Sequence, residues 1–186
     1  MYKLFLYVGG VLALLAGCKK DPTPLDRLPA ATQEGLNTAG WLLDGQAWVP
    51  ARSSISIGEP VNGYWEKTKT GHSLGISFSR ISIEENWGAD FFLPDIKQAG
   101  TFVLHQDPAI TGGLFAAGYG QYYHPRPSPS VDYYTGPDAP GQLIITRFDT
   151  VQNVVSGTFE MSPRETTTGA PAVITQGRFD LHFDHR

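Results

Sequence analysis

The chain has 186 residues, a single cysteine and a formal charge of −4, so it can close no internal disulfide and has no surplus of positive charge for phosphates. Gly 21 and Pro 14 make up about a fifth of it, well above the usual ~12%, and charged residues are only 17%. With 41% hydrophobic and 12% aromatic residues, the composition excludes disorder and general nucleic-acid binding and points to one turn-rich core.

Lys3 is followed by an apolar run, and from Leu4 to Cys18 there are 15 uncharged residues. That is short of the ~20 needed to cross a bilayer, and Lys19, Lys20 and Asp21 follow at once, which is a signal-peptide pattern. Leu15-Ala16-Gly17-Cys18 resembles the bacterial lipobox. That resemblance implies cleavage after residue 17 and lipidation of Cys18, with several acyl chains giving stable attachment to the membrane. The segment from residue 18 to 37, with Pro22, Pro24 and Pro29 and no apolar period, reads as a flexible tether. A single domain is expected over 38–186.

Within that domain the first strand signal runs from Trp41 to Trp48, broken by the hairpin-forming pair Asp44-Gly45. Leu74, Ile76 and Phe78 share one phase and Ile81 and Ile83 the other, which predicts a bulge near Ser79 or Arg80. Further strands are expected at Ala89 to Leu93, Thr101 to Gln106, Leu114 to Tyr123, Val131 to Thr135 and Gln142 to Phe148. Val155, Gly157, Phe159 and Met161 alternate with polar residues. So do Val173, Thr175, Gly177, Phe179, Leu181 and Phe183, and the Thr-, Pro- and Gly-rich stretch from Ser162 to Pro171 makes the two a long-looped hairpin. No window of eleven residues holds a helical period. The fold class is all-β, an antiparallel β-sandwich or small β-barrel of about 8–10 strands.

Thr38 to Trp48, Ala99-Gly100-Thr101-Phe102, Leu143 to Asp149, Val155-Ser156-Gly157-Thr158-Phe159 and Ile174 to Asp180 occur in that order. Together they resemble an uncharacterised family of Bacteroidota lipoproteins built on a β-rich domain of unknown function. The resemblance implies export and a β-rich fold, and it carries no catalytic residues. Inward glycines beside phenylalanine at Gly157 and Gly177 read as packing devices, bare backbone for an aromatic ring on the next strand.

For chemistry, Asp180, His182 and Asp184 share one strand face and are the weak candidates for a metal. Their side chains stand about 7 Å apart, so a second strand would have to add ligands, and the plain alternative is a solvated strand face. No Gly-x-Ser-x-Gly elbow, His-Glu-x-x-His motif or phosphate loop is present, and the adjacent Glu84 and Glu85 point to opposite faces of any strand. No catalytic residue and no cofactor is assigned. The densest feature is aromatic: Phe115, Tyr119, Tyr122, Tyr123, His124, Tyr133 and Tyr134 lie among Pro125, Pro127, Pro129, Pro137 and Pro140. Tyr119, Tyr122, Tyr123, Tyr133 and Tyr134 are the candidate ligand-binding aromatics, against the alternative that they cap the core edge. Of the tryptophans, Trp48 is expected in the core and Trp65 and Trp87 nearer the surface.

The expectation is a binding module of the bacterial cell envelope, lipid-anchored through Cys18 at the outer membrane, for a glycan or an envelope protein. The alternatives are a hydrolase or metal-dependent enzyme, and a purely structural envelope component.

Overall fold

The computed structural model describes residues 21–54, 56–69, 71–82, 86–105, 110–111, 114–115, 118–124 and 131–186. The leader with Cys18, together with Ile83, Glu84, Glu85, Gln106, Pro125, Pro127 and Pro129, lies outside them, and of Phe115 only the backbone is described. Among the described residues a 3-10 turn at Leu25–Arg27 precedes sixteen strands. They are β1 (Thr38–Leu43), β2 (Gln46–Trp48), β3 (Ala51–Arg52), β4 (Val61–Lys67), β5 (His72–Ile81), β6 (Asn86–Leu93), β7 (Gly100–Leu104), β8 (Ile110–Thr111), β9 (Leu114–Phe115), β10 (Tyr119–His124), β11 (Val131–Tyr134), β12 (Gly141–Asp149), β13 (Val154–Met161), β14 (Arg164–Glu165), β15 (Ile174–His182) and β16 (Asp184–His185). Ten of these have four residues or more.

Two sheets face each other, one ordered β2-β1-β15-β13-β12-β7 and the other β14-β11-β10-β6-β5-β4-β16, with β3 joined to β5. They do not close into a barrel, which resolves the sequence alternatives in favour of a sandwich. The inner faces meet in a core of Trp41, Trp48, Leu74, Ile76, Phe78, Phe91, Leu143, Phe159, Phe179 and Leu181. Each such side chain contributes about 1.5–3 kcal/mol by leaving water.

The opening hairpin forms as its sequence predicts. Asp44 and Gly45 have φ of 48° and 80°, the left-handed pair that a two-residue turn between twisted strands requires. The turn sets Trp41 directly opposite Trp48, and the rings stack at 3.8 Å in the core. Trp65 and Trp87 are half-buried against the same core. β4 carried no clear sequence signal, because Gly63 occupies an inward position between Val61 and Trp65 and weakens the alternation. The glycine is needed there: a Cβ would stand 2.8 Å from Leu181 Cδ1.

Two expectations are corrected. No bulge interrupts β5, whose register with β6 runs unbroken from Leu74 to Ile81. The inward position after Phe78 is filled by Arg80, whose guanidinium lies 4.9 Å from the Trp48 ring centroid and 5.2 Å from that of Trp87 while Nε donates to Val49 O. Ile81 falls on the outer face. The break in phase lies instead in β15, where an extra residue at Gln176, with φ 55°, shifts the register against both β1 and β13. Ile174 is therefore buried at 0% exposure and Val173 is turned out at 43%, the reverse of simple alternation.

Beyond the bulge the expected glycine packing is reciprocal. Gly157 pairs with Phe179 and Phe159 with Gly177. A Cβ on Gly177 would lie 2.5 Å from Phe159 Cδ2, and one on Gly157 2.9 Å from Phe179 Cζ.

The expected tether is partly docked. Leu28 is buried, and Arg178 Nη1 donates to Pro29 O at 3.4 Å. Farther on, Thr32 to Leu36 wrap around Asp180. Its carboxylate accepts hydrogen bonds from the Thr32 hydroxyl (2.7 Å), the N–H groups of Glu34 (3.0 Å), Gly35 (2.7 Å) and Leu36 (3.2 Å), and the Ser156 hydroxyl (2.7 Å).

Candidate functional site

Strand alternation divides the tyrosine cluster. β10 pairs with β11 so that Tyr122 stands opposite Tyr133, while Gln121 stands opposite Tyr134 and Tyr123 opposite Asp132. Tyr122 belongs to the core and is 4% exposed, with Tyr133 packed beside it. Their ring centroids are 5.3 Å apart. Tyr119, Tyr123 and Tyr134 point the other way, onto the outer side of the eight-stranded sheet, where Tyr119 is buried as well and Tyr123 and Tyr134 are half-buried. The five candidate aromatics are thus divided between the two faces of the sheet.

The outer face is ordered in rows by the register of five neighbouring pairs. One row runs Asn62, Ser77, Asp90, Gln121, Tyr134, Arg164 from β4 to β14, an unbroken polar line across six strands. A second row, Tyr64, Gly75, Phe92, Tyr119, is aromatic. A third, Ser79, Gly88, Tyr123, Asp132, mixes the two. Phe92 stacks on Tyr119 with centroids 6.0 Å apart, and Tyr119 meets Tyr134 edge-on, also at 6.0 Å. Tyr64 lies over the bare backbone of Gly75, where a Cβ would come within 2.2 Å of its Cζ, and Arg186 sits 4.5 Å from its ring centroid.

Asp90 is the centre of this face. Its Oδ1 is buried and has no hydrogen-bond partner, an arrangement that costs free energy. Burial pushes its carboxyl up to about 6; the Ser77 hydroxyl offsets part of the effect and the charge of Asp132 adds to it. The tyrosine hydroxyls around it are raised in turn, Tyr119 and Tyr123 by burial and then by the Asp90 charge, with Ser77 and Ser79 hydrogen-bonding Tyr123 in opposition. Tyr134 is raised by burial and by Asp132 and Asp90. Gln121, on the strand between the two carboxylates, donates from Nε2 to Asp132 Oδ1 at 3.2 Å. Chemically the face offers an unsatisfied acceptor that can hold a proton near pH 6, flanked by hydroxyls, an amide and ring edges.

The metal candidates are not brought together. Asp180 is 1% exposed and committed to its five donors, contrary to the solvated face expected for it. Burial alone would raise its carboxyl; the hydrogen bonds from Thr32, Ser156, Glu34 and Gly35 outweigh that and bring it to about 2. His182 is exposed and packs on Gly35. Asp184 is carried into the other sheet, because β16 leaves β15 through buried Phe183 to pair with β4. Among the described residues no group of three His, Cys, Asp or Glu side chains is placed to hold a metal ion.

Sequence reasoning missed Asp90 and its row. The available signal was the outward phase of Ser77, Ser79 and Asp90 between inward Ile76, Phe78, Ala89 and Phe91, but the row exists only once the strand register is known. No protein-family model matches the chain, and comparison with curated proteins and with solved structures finds no significant match.

Proposed function

We propose that the chain is a lipid-anchored binding module of the bacterial cell envelope, attached at the outer membrane through Cys18, and that the outer face of the eight-stranded sheet takes a hydroxyl-rich ligand, a glycan. The observation that carries this reading is the buried, unpartnered Asp90 Oδ1 within a polar row flanked by tyrosines. Oδ1 is closed to solvent in the free protein, so a sugar hydroxyl would satisfy it by displacing the side chains that cover it, and neighbouring hydroxyls would find Ser77, Gln121 and Tyr134 along the same row. Tyrosine edges and faces provide the apolar half of a sugar-binding surface at low entropic cost. The lipobox resemblance and the family resemblance support the envelope location.

The test is a glycan array probed with the protein and with its Asp90→Asn and Tyr134→Ala variants. Retention of a glycan by the wild type and its loss in both variants is expected; retention unchanged in both would overturn the assignment of this face. Anchoring is tested separately by Cys18→Ser and cell fractionation, where undiminished membrane attachment would refute lipidation.

A hydrolytic second reading rests on Asp90 and Asp132, which face the same way two strands and one row apart, roughly 12 Å by strand spacing and rise. Inverting glycosidases need a carboxyl pair about 6.5–9.5 Å apart with a water between them. The separation exceeds that range, and Gln121, on the strand between them, is hydrogen-bonded to Asp132, which favours binding over turnover.

A further inference from the structure

On the opposite side of β10 and β11 from Asp90, where the two sheets part, there is a cleft of about 500 Å³. Three distant parts of the chain build it. Tyr122 and Tyr133 come from β10 and β11, Asp44 from the tip of the opening hairpin, and Glu165 from β14, which lies within the long hairpin loop and pairs with Tyr133. Leu43, Val131 and Ala172 line the apolar remainder, and His124 stands at the rim beside Trp87, ring centroids 5.2 Å apart.

The charge of this cleft is one-sided. Asp44 Oδ1 accepts the Val173 N–H at 3.0 Å and Glu165 Oε2 accepts the Thr168 hydroxyl, so each carboxylate is held in place while keeping a second oxygen. The Tyr133 hydroxyl is raised by burial and then by Glu165 and Asp44, so both carboxylates bear on the same ring. The lining contains no Lys or Arg among the described residues. Arg164, next in sequence to Glu165, is turned to the carbonyls of Asp138 and Gly169, and Arg80 donates to Val49 O between Trp48 and Trp87.

We infer that this cleft binds a small organic cation, an amine or quaternary ammonium with carbon around its charge. An anion would meet two like charges there. An organic cation gains from both carboxylates, from the rings of Tyr122 and Tyr133 and from the apolar lining, since aromatic faces attract cations and the carbon shell is removed from water. The site is separate from the glycan face, on the other side of the same strands, and its test fails or succeeds independently of that reading.

The experiment titrates the full chain, held in a polyoxyethylene detergent that carries neither sugar nor ammonium, with choline and with its neutral analogue tert-butylethanol, following backbone amide NMR signals. Choline is expected to shift Tyr122, Tyr133 and Glu165 and to bind about five-fold or more tightly than the alcohol. Glu165→Gln is expected to weaken choline about three-fold or more and to leave the alcohol unchanged, with signals elsewhere unmoved to show that the fold is intact. Equal affinity for the two probes, shifts confined to other parts of the molecule, or no response to choline at roughly 50 mM would each overturn the inference.

Discussion

Asp90→Asn replaces a buried carboxylate by a neutral group of the same shape, and it is expected to stabilise the protein. The carboxyl rises from 3.8 to about 6 on folding, roughly two pK units at ~1.36 kcal/mol each, a ceiling of about 3 kcal/mol. Asp90 keeps some solvent contact, so about 1–2 kcal/mol is the working figure after screening. Because the folded state holds the proton more tightly, the group's favourable contribution is complete below pH ~4 and is lost as pH rises through ~6. The variant should therefore melt about 3–6 °C higher than wild type at pH 7.5 and no higher at pH 4. The assay is a pair of denaturant or thermal melts across pH 4 to 8, read as the difference between the two proteins. A variant less stable at pH 7.5, or a difference that does not change with pH, would refute the account of Asp90 as an unsatisfied buried acid. Stabilisation with loss of binding is the signature expected where a site is kept at the expense of the fold.

Asp180→Ala leaves two hydroxyls and three N–H groups without their acceptor and is expected to cost about 2–4 kcal/mol at neutral pH, measured by urea denaturation. It should also open Pro29 to Leu36 to limited proteolysis. With its carboxyl held near 2, the contribution of Asp180 is present above pH ~4 and fades as pH falls toward 2, so wild type and variant should converge in acid. Gly177→Ala pushes a methyl into Phe159 and into its carbonyl oxygen, 2.6 Å away, and should destabilise by roughly 2–4 kcal/mol in the same assay. Gln176→Gly relieves a side chain held at φ 55° and should stabilise by up to about 1 kcal/mol, raising the melting temperature by a few degrees.

The sequence was most informative where strand period and turn chemistry agree. Asp44-Gly45 fixed the hairpin and the Trp41–Trp48 pair, and the two Gly/Phe repeats predicted the packing that β13 and β15 form. It misled where a single residue changes the phase. Nothing in Val173 to Gly177 signals that Gln176 takes a left-handed conformation, so Val173 and Ile174 exchanged places. It misled again at Asp180, since a carboxylate in an outward phase reads as solvated until a distant segment, here Thr32 to Leu36, covers it. The tyrosines illustrate a third limit. Their density was plain, but it took the β10–β11 register to place Tyr122 and Tyr133 on one side of the sheet and Tyr119, Tyr123 and Tyr134 on the other. The row through Asp90 draws one residue from each of six strands, and strand register, which long-range packing sets, was needed to assemble it.

The central claim, that the outer face of the eight-stranded sheet is the ligand-binding surface, is tested most directly by calorimetric titration of the protein with a glycan retained on the array. The account predicts that Asp90→Asn and Tyr134→Ala each weaken binding about ten-fold or more while Tyr133→Ala, on the other side of the same sheet, leaves it unchanged. Equal loss in Tyr133→Ala, or undiminished affinity in the two outer-face variants, would contradict it.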